Sequence, residues 1–372
     1  MELRVTSPSV SVRDTRRAPR KIVLVPNMLI LLHSLSTSYS PGVATSRWCS
    51  QQRSSPIVLG AKNKKSSFVP YEIGGGDYTP LFPQPKEVEC VGLHKKHYPN
   101  GVPASKILKE KGSEDLLRKS FPGLDLSWPG LRVLHLDPPV LIAENFFTAE
   151  ECDAYAELRN LDDPSAIHEL AQSGTFGGGA TAQARTSTTW FVAYQRVATL
   201  LAKASALLGI DDPHRFEEPQ LVRYQPGQYF NWHYDAVPTT KLVNGGQRVA
   251  TLLVYLNDVP DGGRTAFRDL RAGGTDETGA PLRLAVAPKK GRAILFSPAA
   301  ADDGAPDERT LHAGEPTEAG EDKWIAQLWT HERAYTPNVP DGSSQAEAMP
   351  AVRAQAEEMG LRVPAEAIGA AA

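Results

Sequence analysis

The second half of the chain, from Leu221 onward, takes on the two-residue period of β-strands, and this change limits the fold more than any other feature. Residues 248–256, RVATLLVYL, are dense in β-branched and apolar residues, which is typical of a buried strand. Three further short runs of the same kind are separated by turns rich in Gly and Pro, at residues 282–286, 293–296 and 323–331. Many short strands joined by turns predict antiparallel sheets in a sandwich or barrel.

The residues before Leu221 predict helices that support these strands. Residues 133–142 indicate two strands divided by a proline pair. Thr148 followed by Glu151 is a capping box that starts a helix, and residues 194–208 have helical apolar periodicity. The predicted fold class is therefore α+β and mainly β, with helices packed on one side of a β core.

Composition places the chain among ordinary globular proteins. It has 372 residues, 41% hydrophobic residues and a net charge of −3. This charge carries no signature of a nucleic-acid partner or of a polybasic membrane face. Three scattered cysteines exclude a disulfide framework and a zinc knuckle, although a single bridge stays open.

The N-terminal residues 1–65 are interpreted as a targeting or disordered segment. Basic residues precede an apolar run at 22–32, and a Ser/Thr-rich stretch follows. This order is typical of a secretory signal peptide or signal anchor, which would direct the chain to the endoplasmic reticulum or Golgi. A transit peptide for an organelle such as the plastid and a disordered tail are the alternatives. The apolar run is shorter than the about 20 residues of a transmembrane helix.

Three further segments follow from composition. Residues 66–130 are a Pro/Gly-rich extension, in which a short helix is expected within 106–119. Residues 131–336 form the main domain. Residues 337–372 are an Ala/Glu-rich tail, expected to be loosely attached, because Pro350 interrupts its helical pattern.

His233-x-Asp235 and His312 are candidate metal ligands. On an extended chain, residues two apart point to the same side, so His233 and Asp235 can bind one ion. With nine histidines and 43 acidic residues, such a pair is also expected by chance, and a solvated ion pair is the alternative. Two histidines and one carboxylate on one face are the ligand set of non-haem Fe(II) oxygenases.

Lys323 is a candidate anion-binding residue at the start of the last strong strand. Alternation puts Lys323, Ile325, Gln327, Trp329 and His331 on one face. Trp324, Ala326, Leu328 and Thr330 lie on the other. The mixed polar and aromatic face that carries Lys323 suits a pocket, where the ammonium would pair with a carboxylate. A lysine whose ammonium reaches solvent is an equally good interpretation of the residues alone.

An ordered series of short motifs connects these residues. The motifs are Tyr224-x-x-Gly227-Gln228, His233-x-Asp235, Gln247-Arg248 with the strand to Val259, Gly262-Gly263-x-Thr265-x-Phe267, Leu311-His312-Ala313-Gly314 and Lys323-Trp324-Ile325. Together they resemble the catalytic domain of the prolyl 4-hydroxylase family, within the 2-oxoglutarate/Fe(II) dioxygenases. The resemblance covers residues 131–333 and is densest after Leu221.

The resemblance implies a double-stranded β-helix, or jelly roll, and an enzyme. It implies hydroxylation of peptidyl proline to 4-hydroxyproline, with Fe(2+), 2-oxoglutarate, O2 and ascorbate, and release of succinate and CO2. It implies three groups of residues: the iron ligands His233, Asp235 and His312, the cosubstrate-binding residues Lys323, Tyr224 and Thr251, and the substrate-binding residues Arg248, Trp329, His331 and Phe230. The expected partner is a proline-containing peptide or protein, and contact with a membrane is expected only through an N-terminal signal anchor.

Two positions depart from the family pattern. Lys323 lies one residue further from His312 than the family spacing, and Phe230 stands where the family often has tyrosine. The same chemistry on another side chain or a small molecule is therefore an alternative. A non-catalytic binding module is a second alternative, and it would be expected to lack one of the three metal-binding residues. A zinc hydrolase would be expected to carry a His-Glu-x-x-His helix, and the sequence has none.

Overall fold

The computed structural model of the protein describes residues 101–160, 167–170, 185–275, 277, 279, 281–317, 320–337 and 345–363. The predictions for residues 1–65, and for residues 66–100 of the extension, lie outside these ranges. All described residues belong to one compact unit, Ser66–Ala372. Among the described helices, none combines the length and the apolar character that crossing a membrane requires.

Thirteen strands and five α-helices make up the described fold. The strands are β1 (Val102–Pro103), β2 (Leu131–Leu136), β3 (Pro139–Ala143), β4 (Ile167–Leu170), β5 (Thr188–Val192), β6 (Gln220–Tyr224), β7 (Phe230–His233), β8 (Arg248–Tyr255), β9 (Thr265–Thr275), β10 (Pro281–Val286), β11 (Ala293–Phe296), β12 (His312–Gly314) and β13 (Lys323–His331). The helices are α1 (Ala104–Ile107), α2 (Ser113–Ser120), α3 (Ala149–Glu157), α4 (Ala198–Leu208) and α5 (Gln345–Glu358).

The strands form two antiparallel sheets. The major sheet has nine strands in the order β1-β2-β3-β11-β8-β13-β6-β5-β4, and the minor sheet has four in the order β10-β9-β12-β7. A first apolar core lies between them, since buried side chains of both sheets cluster together, including Ile325 and Phe296 of the major sheet and Phe267 of the minor sheet. Two facing antiparallel sheets with this order confirm the predicted jelly-roll fold.

The helices cover the other face of the major sheet and form a second core. Leu200 and Leu207 of α4 pack in it with Ala326 and Leu328 of β13, while Ile325 of the same strand faces the first core. The alternation predicted for β13 is therefore confirmed, and the strand separates the two cores. The predicted capping box is also present, because the Glu151 amide donates to the Thr148 hydroxyl and Glu151 accepts from the Thr148 amide.

Residues on both sides of the predicted main domain contribute to this second core. Ile107, Leu117 and Trp128, from the segment expected to be an extension, are buried in it. The short helix expected within 106–119 corresponds to α2, and a further short helix, α1, precedes it. Gly112, with a φ of 83°, lies between them in the left-handed region that ends helices.

The prediction that Pro350 interrupts the C-terminal helix is wrong. Helix α5 runs through Pro350 and buries Ala348, Met349 and Val352 against the second core. Pro350 removes one backbone hydrogen bond close to the helix start, while its own side chain faces solvent. The packing of the apolar face outweighs this loss, so the described part of the tail is attached firmly.

Candidate metal and cosubstrate site

Three side chains meet in the space between the two sheets. His233 ends β7 and His312 begins β12, and these neighbouring strands place the two residues directly opposite each other. Asp235 follows two residues after His233. Its carboxylate oxygens lie 3.5 Å from the Nε2 of His233 and 3.6 Å from the Nε2 of His312. One ligand atom from each residue lies within 4.8 Å of the others, so the predicted ligands are brought together.

Backbone carbonyls fix the direction of both imidazoles. The Nδ1 of His233 lies 2.7 Å from the Asn231 carbonyl oxygen, and the Nδ1 of His312 lies 2.9 Å from that of Thr310. A carbonyl oxygen only accepts, so each Nδ1 carries the hydrogen and each Nε2 keeps a lone pair facing Asp235. This is the arrangement that orients histidines for a metal ion.

The electrostatics of the three residues suit a divalent cation. Burial, together with His233, lowers the pKa of His312 to about 4, so its imidazole is neutral at neutral pH. Burial alone would raise the pKa of Asp235, but the neighbouring histidines and Arg248 hold it well below its usual range. One carboxylate and two histidines fit Fe(2+) in the facial arrangement that leaves other positions open.

Thr251 lies beside the metal ligands. Its hydroxyl donates a 2.8 Å hydrogen bond to the Asp235 carboxylate, and both groups are buried. The sequence predicted a contact of Thr251 with the cosubstrate, whereas the described contact orients Asp235. The cosubstrate contact stays a prediction.

Lys323 is buried in the space between the two sheets, with 2% of its surface exposed. It pairs in register with Tyr224 of β6, and its Nζ lies 4.3 Å from the centre of the Tyr224 ring. The Nζ donates to the Gly263 carbonyl oxygen at 3.0 Å. Burial lowers the pKa of Lys323 to about 7. A ligand carboxylate at the Nζ would restore the charged form.

Asp322, the residue before Lys323, makes its contacts outside the site. Asp322 accepts a 2.7 Å hydrogen bond from Arg223, and the backbone on either side of Lys323 is bound by Asn257. These contacts fix the strand so that Lys323, and not Asp322, faces the space between the sheets.

A buried cluster adjoins the metal ligands. Arg248 donates to both carboxylate oxygens of Glu217 at 2.7 and 2.6 Å, and to the Asp235 carbonyl oxygen at 3.1 Å. Its guanidinium lies 3.6 Å from the centre of the Trp329 ring, and His331 Nε2 lies 2.8 Å from Glu217. The structure therefore brings together three of the predicted substrate residues and links them to the candidate metal ligand Asp235.

Glu217 organises this cluster and was not among the predicted site residues. It is 5% exposed, and Arg248 and His331 hold its pKa below the usual range against the opposing effect of burial. The only sequence signal was indirect, because a buried arginine requires a carboxylate partner.

Phe230 lies next to His233, one of the candidate metal ligands. Its ring stacks on His233 with 3.4 Å between ring centres and 12° between planes. Phe267 and Phe296 pack around His312 at 5.7 and 4.9 Å. These rings fix the imidazoles and limit access of water.

The fold and the site define a 2-oxoglutarate/Fe(II)-dependent dioxygenase, and comparison with known proteins agrees. Residues 219–331 match the family model described as the 2OG-Fe(II) oxygenase superfamily. Prolyl 4-hydroxylase 5 of Arabidopsis thaliana is 32% identical over 214 residues, which cover 54% of this chain and 71% of the relative. Prolyl 4-hydroxylase 1 of the same plant is 31% identical over 212 residues, covering 54% and 72%.

Among solved structures, the viral collagen prolyl hydroxylase from Paramecium Bursaria Chlorella virus-1, a 2OG complex, is 27% identical. The match covers 51% of this chain and 94% of the viral chain, with a TM-score of 0.35. The similarity to the curated relatives, together with the family model, shows that the chain belongs to the prolyl 4-hydroxylase family. Its cofactor is Fe(2+), and its cosubstrates are 2-oxoglutarate and O2.

Proposed function

We propose that the protein hydroxylates proline in peptides to 4-hydroxyproline and releases succinate and CO2. The observation that carries this function is the convergence of His233, Asp235 and His312 with Lys323 in one interior between the sheets. Iron held by the triad would bind the keto acid end of 2-oxoglutarate, and the buried Lys323 would bind its distal carboxylate. The relatives' names supply the substrate class.

The protein's part in the reaction is to hold and orient. His233, Asp235 and His312 would bind Fe(2+), and Thr251 would keep the Asp235 carboxylate in position through its hydrogen bond. Lys323 would bind the distal carboxylate of 2-oxoglutarate beside Tyr224. When bound, iron and 2-oxoglutarate would activate O2: one of its oxygen atoms would replace a C–H hydrogen by hydroxyl, and the other would enter succinate as 2-oxoglutarate is oxidised to succinate and CO2.

The cluster around Glu217 supports peptide binding. Trp329 Nε1 and His331 Nδ1 are buried and have no hydrogen-bond partner among the described residues. Buried polar groups without partners are costly, so a ligand that pairs with them gains affinity. A peptide carbonyl would accept from Trp329 Nε1, and a peptide N–H would donate to His331 Nδ1, because the Nε2 of His331 faces the Glu217 carboxylate and carries the ring hydrogen. Arg248, which contacts Trp329 and Asp235, would hold the peptide next to the iron ligands.

Two accessory features belong to the same proposal. Ascorbate would return oxidised iron to Fe(2+) after turnover without substrate. The protein would act in the endoplasmic reticulum or Golgi, which is supported by the basic residues and apolar run before residue 33. A fluorescent fusion of the full chain, imaged with organelle markers, tests the location, and plastid fluorescence would contradict it.

The decisive experiment is a turnover assay on the full chain with Fe(2+), 2-oxoglutarate and ascorbate. A proline-rich peptide and the same peptide with alanine for proline are offered, and mass spectrometry detects added oxygen. We expect oxygen only on the proline peptide, and none with His233→Ala. His214→Ala, an exposed histidine away from the triad, is the matched control and should stay active.

The second candidate function is the same chemistry on another side chain or a small molecule. Phe230 favours it, because an apolar ring lines the wall beside His233 where the family often places a phenol. Succinate formed without oxygen on any peptide would support this candidate. If the chain binds neither iron nor 2-oxoglutarate, it is a binding module without catalysis.

A further inference from the structure

Gln345, at the start of α5, joins the two chain segments that carry the Glu217 cluster. Only 3% of its surface is exposed. Its Nε2 donates to the Phe216 carbonyl oxygen at 3.2 Å and to the Tyr335 carbonyl oxygen at 3.0 Å. An amide nitrogen has two hydrogens, so both are used on the backbone. Phe216 immediately precedes Glu217, and Tyr335 follows soon after His331, so Gln345 holds both partners of the Glu217–His331 hydrogen bond.

The peptide group between Phe216 and Glu217 is held by three hydrogen bonds. Its carbonyl oxygen accepts from the Tyr194 hydroxyl at 3.0 Å and from Gln345, which occupies both lone pairs. Its N–H, the amide of Glu217, donates to the Trp329 carbonyl oxygen at 3.0 Å. Because a peptide group is planar, these bonds together fix the direction in which the chain enters Glu217. One of the three comes from α5.

Tyr335 fixes the other partner, His331. The Tyr335 ring stacks on the imidazole, with 4.6 Å between ring centres and 21° between planes. Its hydroxyl donates to the Glu218 carboxylate at 3.0 Å, and its amide donates to the His214 carbonyl oxygen at 2.7 Å. The bond from Gln345 to the Tyr335 carbonyl oxygen therefore acts on a residue whose ring sets the plane of His331.

We infer that Gln345 and Tyr335 are positioning residues for the peptide substrate, and that α5 contributes to the substrate site through them. The inference rests on the proposed binding of peptide by the cluster around Glu217 and deepens it. Hydrogen bonds weaken steeply outside a narrow range of distance and angle, so a displaced His331 would bind the peptide less tightly. Lys323 lies at the opposite end of β13 from His331, about 26 Å away along the strand. The affinity for 2-oxoglutarate should therefore not depend on Gln345 or Tyr335.

The test compares peptide binding with 2-oxoglutarate binding in the full chain loaded with Mn²⁺. Calorimetry gives the dissociation constant of 2-oxoglutarate and then, with 2-oxoglutarate bound, that of a proline-rich peptide. Gln345→Ala removes both backbone bonds and should weaken peptide binding roughly threefold to tenfold, as expected for the loss of ordinary hydrogen bonds. Its affinity for 2-oxoglutarate should be that of the wild type.

Val352→Ala is the matched control. Val352 belongs to the same helix and is buried in the second core, with 1% of its surface exposed. The smaller side chain should lower the melting temperature, because it leaves a cavity, while both dissociation constants stay unchanged. The comparison separates the positioning of the cluster from the stability that α5 gives to the fold.

A pair of variants separates the ring of Tyr335 from its hydroxyl. Tyr335→Phe keeps the stack on His331 and loses the bond to Glu218, so the peptide should bind nearly as it does to the wild type. Tyr335→Leu keeps an apolar side chain but loses the stack, and should weaken peptide binding about as much as Gln345→Ala. This pair also decides the matter if Gln345→Ala does not fold.

Several outcomes would overturn the inference. Unchanged peptide affinity in Gln345→Ala, or in Tyr335→Leu where the first variant does not fold, would mean that α5 only stabilises the fold. Equal losses of peptide and 2-oxoglutarate affinity would indicate a general distortion. A comparable loss of peptide affinity in Val352→Ala would mean that any loosening of α5 has the same effect. A wild-type protein that binds 2-oxoglutarate but no proline-rich peptide would instead contradict the proposed function itself, so the two failures are distinct.

Discussion

Binding of 2-oxoglutarate should depend on pH through Lys323. Burial lowers the pKa of this lysine to about 7 in the free protein, so near neutral pH about half of the molecules carry a neutral amine. A bound carboxylate favours the ammonium and raises that pKa. Above pH 7 the protein must therefore take up a proton when it binds 2-oxoglutarate, and the affinity must fall as the pH rises.

The magnitude follows from the charged fraction of the lysine. With a pKa of about 7, that fraction is about 0.9 at pH 6, about 0.09 at pH 8 and about 0.01 at pH 9. The dissociation constant should therefore rise about tenfold from pH 6 to pH 8, and about tenfold more by pH 9. His312, with a pKa of about 4, stays neutral throughout this range and does not contribute.

The assay is calorimetric titration of 2-oxoglutarate into Mn²⁺-loaded protein at pH 6, 7, 8 and 9, repeated in buffers of different ionisation enthalpy to count protons. Lys323→Arg stays charged at every pH tested and should bind with little pH dependence. A wild-type affinity that is constant from pH 6 to pH 9, with no proton uptake at pH 8, would refute the reasoning.

Three further variants test other contacts. Glu217→Gln leaves the buried Arg248 without its charged partner and should lower the free energy of unfolding by about 3 to 5 kcal/mol, measured by denaturant titration; a loss below 1 kcal/mol would contradict the ion pair. Thr251→Val removes the hydrogen bond to Asp235 and should weaken Fe(2+) binding roughly tenfold to a hundredfold in a competition assay with a chelator, and unchanged metal affinity would show that the bond is dispensable. Pro350→Ala restores a backbone hydrogen bond in α5 and should raise the melting temperature, whereas a lower value would mean that the proline is required there.

The sequence predicted those parts of the fold in which the hydrophobic period is strong. In β13 the predicted alternation matches the structure: Ile325 faces the first core, while Trp324 and Ala326 face the second. Strand β9 was not predicted, because its sequence TAFRDLRAGGT mixes charges and glycines with few β-branched residues. It forms because both of its edges are paired, with β10 and β12.

Among the candidate site residues, the motifs predicted His233, Asp235, His312 and Lys323, because each has a distinctive residue type at a defined spacing, and the structure brings the first three together and buries Lys323. Glu217 could not be found this way. Its role follows from a long-range ion pair with Arg248 and a contact with His331, and neither is visible as a local pattern.

The pairing of His233 with His312 has a consequence for how the protein reaches its native state. The two residues face each other on adjacent strands of the minor sheet, yet strands β8 to β11 all lie between them in the chain. A contact so distant along the chain closes a large loop, and such contacts slow folding. The site for a metal ion held by both histidines exists only in the folded chain. Binding of Fe(2+) would therefore stabilise the folded state relative to the unfolded one.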